Sequence, residues 1–210
     1  MRLLEAQEIL LSLGQERPPV RVSFVLEEGR VLWIEGRSGA GKTTLLRTLA
    51  RLNPLADGDM RFQGSLWREI PAVTWRTRVV YLHQEAVLFP GTVRDNMEAP
   101  FHFANRKPDR HDPAQVDEML AKLLLPSKIL DQDALSLSVG EASRVALIRA
   151  VITDPQVLLL DEPTAALDAK SRRAAASLLT EWLDEKGRGI IAVSHDDSIV
   201  ELLPGEKISL

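Results

Sequence analysis

The stretch RVLWIEGRSGAGKTTLLRTLARL, residues 30–52, decides the fold. Residues 30–35 form an apolar run that reads as a buried strand. Residues 36–43 (GRSGAGKT) match GxxxxGK[ST], and leucines 45, 46, 49 and 52 then recur at helical spacing. Gly36, Gly39 and Gly41 let the backbone close around an anion with no side chain in the way. Together with Arg37, Ser38 and Ala40 they line up N–H groups that, with the start of the helix, point at a β-phosphate. Lys42 adds a mobile charge for the β- and γ-phosphates, Thr43 a hydroxyl for Mg²⁺, and Thr44 a contact to the α-phosphate. At average glycine usage such a match arises by chance in about one chain in a hundred of this length, and the flanking strand and helix lower that further.

Working outward, residues 20–26 alternate as a strand should, and residues 78–83 (RVVYLH) form another short apolar strand. Residues 89–135 change character, with prolines at 90, 100, 108, 113 and 126 and a helical stretch at 114–125. Within them, residues 105–113 read as an exposed loop. Helix 140–152, strand 157–160, helix 169–186 and strand 189–193 follow. Strands separated by helices of this length imply a mostly parallel sheet with right-handed crossovers.

Strand 157–160 ends in Asp161 and Glu162. A buried parallel strand delivers its C-terminal residue into the crevice where ligands of such sheets bind. Asp161 suits a Mg²⁺ ion and Glu162 the polarisation of an attacking water, although paired carboxylates at a strand end are often just an acidic turn. Beside the phosphate loop, the catalytic reading prevails.

The bulk numbers narrow the classes. A chain of 210 residues suits one domain, or one domain with an inserted lobe. The net charge of −4 argues against a nucleic-acid partner held by bulk phosphate attraction. Absence of cysteine excludes disulfides, thiolate-ligated zinc and thiol catalysis. The N-terminal MRLLEAQEILLSLGQERPP is broken by Glu5, Gln7 and Glu8, so it lacks the uninterrupted apolar core of a signal peptide. No window approaches the roughly 20 apolar residues of a membrane-spanning helix, and a soluble cytosolic chain is expected.

Many nucleotide hydrolases share the two elements above, so the class comes from others. Leu137-Ser-Val-Gly-Glu141 precedes a helix and resembles the ABC ATPase signature LSGGQ. On its own it would read as a helix cap, Ser138 and Glu141 forming a capping box. Gln84 ends strand 78–83, residues 161–168 (DEPTAALD) resemble the family's DEPTSALD, and His195 follows strand 189–193 within VSHD. These elements stand in the family's order over essentially the whole chain. Residues 76–130, with LFPGTVRDN at 88–96, resemble the ATP-binding subunits of bacterial iron-export ABC transporters.

The resemblance implies an α/β phosphate-loop fold of ABC type: a mostly parallel core sheet, a small N-terminal antiparallel part and an inserted helical subdomain. It places a core lobe at about residues 1–88 and 153–210, and a helical lobe carrying the signature at about 89–152. It implies ATP and Mg²⁺ as cofactors, with Gln84 touching the metal and sensing the γ-phosphate, which His195 also meets. Ser138 and Gly140 would contact the γ-phosphate of ATP held by a second copy, and Asp168 that copy's phosphate loop. It further implies ATP-driven homodimerisation, a separate integral membrane permease, and a peripheral site on the cytoplasmic side of the bacterial inner membrane. Phe89, Phe101 and Phe103 are the expected apolar cleft for that permease, a core role being the plainer reading of each. Two departures matter: Val139 replaces the signature's first glycine, and no aromatic upstream of the first strand offers itself for adenine stacking. A soluble ABC ATPase acting on nucleic acid or ribosomes, and a phosphate-loop kinase, stay open as alternatives. The first usually carries a long coiled coil or tandem ATPase units, and the second has no use for residues 137–141 or Asp168.

Overall fold

The computed structural model describes residues 1–14, 18–102 and 112–210. Two sheets organise them. An antiparallel sheet has the order β2-β1-β4-β5, from β1 (Arg2–Leu11), β2 (Val20–Glu27), β4 (Asp59–Phe62) and β5 (Ser65–Leu66). A parallel sheet has the order β6-β7-β8-β3-β9, from β3 (Val31–Glu35), β6 (Val79–Leu82), β7 (Val157–Asp161), β8 (Gly189–Val193) and β9 (Glu206–Ser209). The α/β class read from the alternation of apolar strands and helices is the fold observed.

Every residue of β7 and β8 is buried, which is why both strands read as unbroken apolar runs. Their side chains still alternate. Leu158 and Leu160 pack with the helical layer of α5 (Val139–Val151) and α6 (Ala169–Leu183), while Val157 and Leu159 pack with α1 (Lys42–Leu49) and the antiparallel sheet. Two apolar clusters therefore flank one sheet, each buried leucine contributing about 1.5–3 kcal/mol.

The helical layer continues through α3 (Val93–Glu98), a 3-10 turn at Ala99–His102, α4 (Pro113–Lys122) and two further 3-10 turns, Ser127–Asp131 and Ala134–Ser136. Helices α2 (Ala72–Arg78) and α7 (Asp197–Leu202) are short. The expected exposed loop at 105–113 lies outside the described residues up to 111, and its last two residues are the N-cap and first turn of α4. Helix α1 ends earlier than the leucine spacing predicts, because Ala50 caps it and Arg51 turns left-handed at φ 57°. No helix among the described residues is long and apolar enough to cross a membrane.

Candidate active site: a nucleotide cleft and a separate exposed face

Between β3 and α1 the chain makes the turn predicted to hold phosphate. Gly41, the N-cap of α1, has φ 103°, and a Cβ there would lie 2.6 Å from Leu13 Cδ2. Only glycine escapes both constraints. Helix α1 carries no acidic residue in its first turn, so its positive end stays uncompensated. Lys42 is buried, its Nζ donating to the carbonyls of Gly36 at 2.7 Å and Arg37 at 3.3 Å. The ammonium is thus stored inside the loop it serves.

A cleft of about 520 Å³ opens over this turn. Ser38, Gly39, Gly41, Lys42, Thr43 and Thr44 wall it on the loop side, and Gln84, Asp161, Glu162 and His195 also line it. Gly36, Arg37 and Ala40 belong to the same turn without lining the cleft. The parallel order β3-β8-β7 explains the convergence, since the C-terminal ends of these strands open on one edge.

Asp161 ends β7 and is only 2% exposed. Its Oδ2 accepts a hydrogen bond from the Tyr81 hydroxyl at 2.9 Å. Burial, then the adjacent Asp161 carboxylate, pushes the Tyr81 phenol well above its ordinary value, so it remains a donor at neutral pH. Sequence reasoning missed Ser12, Leu13 and Asn53, which also line the cleft, and it missed the hydrogen-bond partner of Asp161, Tyr81. Tyr81 counted only as one member of an apolar strand, and its partner lies 80 positions away.

Glu162 adopts φ 50°, a left-handed conformation that costs a non-glycine residue about 1–3 kcal/mol. Its Oε2 accepts from the backbone N–H of His195 at 3.1 Å, and His195 Nε2 stands 3.7 Å from Oε1. Oε1 is buried and finds no hydrogen-bond partner among the described residues. A strained backbone and an unpaired buried acceptor beside an anion-binding loop suit a group that orients a water. His195 itself is exposed and reaches the cleft through its ring.

Thr43, Gln84 and Asp161 supply one hydroxyl, one amide and one carboxylate on the walls of this cleft. Such an all-oxygen set, with a single charge, fits a hard cation that keeps some water and takes other ligands from phosphates. Mg²⁺ is the ion this donor set fits.

Ser138, Gly140 and Asp168 do not line the cleft. Ser138 caps α5 in a capping box, its hydroxyl donating to Glu141 Oε2 at 2.6 Å and its N–H to the same oxygen at 3.0 Å. Those two bonds hold the Glu141 carboxyl below the usual range. A Cβ on Gly140 would meet the carbonyl oxygen of Ala166 at 3.3 Å, so the start of α5 rests on the turn leading to Asp168. Asp168 caps α6 by accepting from Ser171 N–H at 2.7 Å, and that bond depresses its pKa. Ser138 and Asp168 are both exposed, as is Val139 at 71%. The sequence motifs therefore divide into a cleft and a second, outward-facing group.

A groove of about 500 Å³ runs between α2, β6 and α5, with Val73, Val80, Phe89 and Arg149 among its walls. Phe89 is 47% exposed, whereas Phe101 is buried in the core at 5%. Of the expected cleft phenylalanines, Phe89 lines the groove and Phe101 packs inside, while Phe103 lies outside the described residues.

Comparison with known proteins shows the family and supports the fold. Residues 20–165 match the family model described as ABC transporter. The chain is 33% identical over 209 residues to the "Probable iron export ATP-binding protein FetA" of Escherichia coli (strain K12), spanning 96% of this chain and 92% of that protein. It is also 33% identical over 195 residues to the "Glycine betaine uptake system ATP-binding protein YehX" of the same strain, spanning 92% of this chain and 63% of that protein. Among solved structures, a dimeric post-hydrolysis state of the ATP-binding cassette MJ0796 bound to ADP and Pi superposes with TM-score 0.83 at 24% identity, covering 99% of this chain and 94% of that one.

Proposed function

Because the chain belongs to the ABC transporter family, we propose that this ATP-binding subunit hydrolyses ATP between two copies of itself to drive a separate membrane permease, with iron export as its transport. The observation that carries the reading is the division of the site. The cleft holds the phosphate loop, Gln84, Asp161, Glu162 and His195, while Ser138, Gly140 and Asp168 sit on an exposed face outside it. Head-to-tail pairing brings the exposed face of each copy over the cleft of the other, and both ATP sites are completed together.

In this mechanism the loop N–H groups and Lys42 hold the phosphates, and Ser138 with the Gly140 N–H closes over the γ-phosphate from the second copy. Thr43, Gln84 and Asp161 would hold Mg²⁺, which would supply neutralisation of phosphate charge. Glu162 Oε1 orients the attacking water, and His195 stays against Glu162 through its N–H. Closure draws the helical lobe, about residues 89–152, inward relative to the core lobe of about 1–88 and 153–210. The groove at Phe89 receives the permease and passes that movement across the cytoplasmic face of the bacterial inner membrane. Iron is favoured by the FetA relative, whose length this chain nearly spans. An uptake relative at the same 33% identity, matched over 63% of its own length, makes direction of transport the point for experiment.

The test is affinity purification of Glu162→Gln from detergent-solubilised native membranes with Mg-ATP, followed by mass spectrometry. One stoichiometric many-spanning membrane protein is expected, and cells expressing the pair should hold less iron than cells expressing neither. A variant that dimerises on ATP but brings no membrane protein would replace this reading with that of a soluble ABC ATPase.

A further inference from the structure

Gln84 lines the cleft, and Ser138 caps α5 on the exposed face. Two side chains tie the segment after Gln84 to that same helix. Asn96 of α3 is fully buried. Its Oδ1 accepts from Phe89 N–H at 2.8 Å, and its Nδ2 donates to Phe89 C=O at 2.9 Å and to Thr92 C=O at 3.0 Å. One amide thus satisfies both backbone groups of Phe89. From the C-terminal part of α5, Arg149 Nη1 donates to Asn96 Oδ1 at 3.0 Å and Nη2 to Val87 C=O at 2.5 Å. The guanidinium carbon lies 5.0 Å from the centroid of the Phe89 ring.

Arg149 is an unusual cation. Burial lowers its pKa, and the described residues give it no carboxylate partner. Desolvating a guanidinium against neutral acceptors costs free energy that a leucine or methionine at this spot would avoid. What Arg149 supplies instead is a rigid planar fork that grips two points of the 87–96 segment at once, which neither residue could provide. Eleven residues of helix separate it from Ser138, about 16 Å at 1.5 Å per residue, so a displacement at one end reaches the other with little loss.

We propose that Asn96 and Arg149 are positioning residues that lock the segment after Gln84 to the helix carrying Ser138, so that nucleotide contact in the cleft and the pose of the signature face change as one body. Phe89 sits in the same clasp and lines the groove, so occupation of the groove reaches α5 by the same route. The inference rests on the ATP-driven reading above. A purely structural cluster would stabilise the fold without favouring any step.

The experiment compares wild type with Arg149→Met, Arg149→Lys, Asn96→Ala and the double Arg149→Met/Asn96→Ala. Readouts are thermal midpoint, Kd for Mg-ATP, kcat, and amide hydrogen exchange of residues 139–144 with and without Mg-ATP. Arg149→Met is expected to keep Kd within about twofold while kcat falls at least about tenfold. Mg-ATP should slow exchange at the start of α5 in wild type and not in this variant. Arg149→Lys reaches only one acceptor and should recover part of the loss, and the double variant should be no worse than the weaker single one. Turnover and exchange like wild type in a folded variant would overturn the proposal, as would losses that multiply or that follow Kd. Should Arg149→Met not fold, Arg149→Lys decides alone: lowered kcat at unchanged Kd supports the clasp and wild-type kcat removes it. A wild-type chain that binds Mg-ATP without turning it over would strike the ATPase reading instead, with the exchange comparison still judging the clasp.

Discussion

Tyr81→Phe removes one hydroxyl from the end of β6 and leaves the ring where it packs. The lost group is the donor to Asp161 Oδ2 at 2.9 Å, and with Asp161 only 2% exposed little solvent is at hand to replace it. Hydrogen bonds to a charged partner contribute about 1.5–3 kcal/mol, and leaving a buried acceptor unsatisfied falls in the same range. Taking about 2 kcal/mol, a chain of 210 residues should lose roughly 4–8 °C in Tm.

The loss should depend on what else reaches Asp161. If the carboxylate faces a cation in the loaded cleft, saturating Mg-ATP gives the orphaned oxygen a new partner, and the gap between variant and wild type should narrow by about half or more. ATP with a chelator should leave the gap open. The pH dependence has a definite sign. Tyr81 has a raised folded-state pKa, so its contribution is complete below the ordinary phenol value of about 10 and fades only as pH rises past it. The gap should therefore be flat between about pH 6 and pH 9. Scanning calorimetry with and without nucleotide measures all of this. A midpoint within about 1 °C of wild type, or a gap indifferent to Mg-ATP, would refute the assignment of Tyr81 as the residue that holds Asp161 ready.

Two further changes test other parts of the molecule. Val139→Gly strips a 71%-exposed branched side chain from the face beside Ser138 and should speed ATP turnover at a stability cost of at most about 1 kcal/mol; turnover that is unchanged or slower would show that this side chain does not obstruct closure. Asp95, whose carboxyl the Thr92 hydroxyl holds below the usual range, contributes stability above the ordinary carboxylate value of about 4 and loses it as pH falls through its depressed value. The stability difference between wild type and Asp95→Asn should shrink from about pH 6 to about pH 3 in urea melts, and a constant difference would count against the capping-box account.

Local chemistry was legible and long-range pairing was not. Residues 36–44 announce themselves because the groups of the proposed phosphate loop are contiguous, and β7 does so because both its faces are buried. Strand β1 escaped because its apolar residues 3, 4, 6, 9 and 11 break strict alternation. The register shifts between Arg2 and Leu4 and between Ala6 and Ile9, where Glu8 turns left-handed at φ 49°, so both ends still face the core. Strand β9 is short, polar and mostly exposed, and it exists only because β3 offers an edge. The Tyr81–Asp161 bond and the Arg149–Asn96 clasp join residues 80 and 53 positions apart, which no spacing rule reaches.

The helix-cap reading of Ser138 and Asp168 is what the structure shows, and the proposed functional reading would ask the same groups to change partners. Ser138 is a helix cap bonded to Glu141, Asp168 is a helix cap bonded to Ser171, and Lys42 is tied to Gly36 and Arg37. Each of these three groups has hydrogen-bond partners within the fold. Glu162 Oε1 and, two residues on, Thr164 Oγ1 are buried without a hydrogen bond among the described residues, and Glu162 has a strained backbone as well. If phosphate is to recruit Ser138, it must compete with a carboxylate 2.6 Å away, whose charge also repels it. On the proposed mechanism, closure of this face would therefore require a ligand able to displace Glu141 from Ser138.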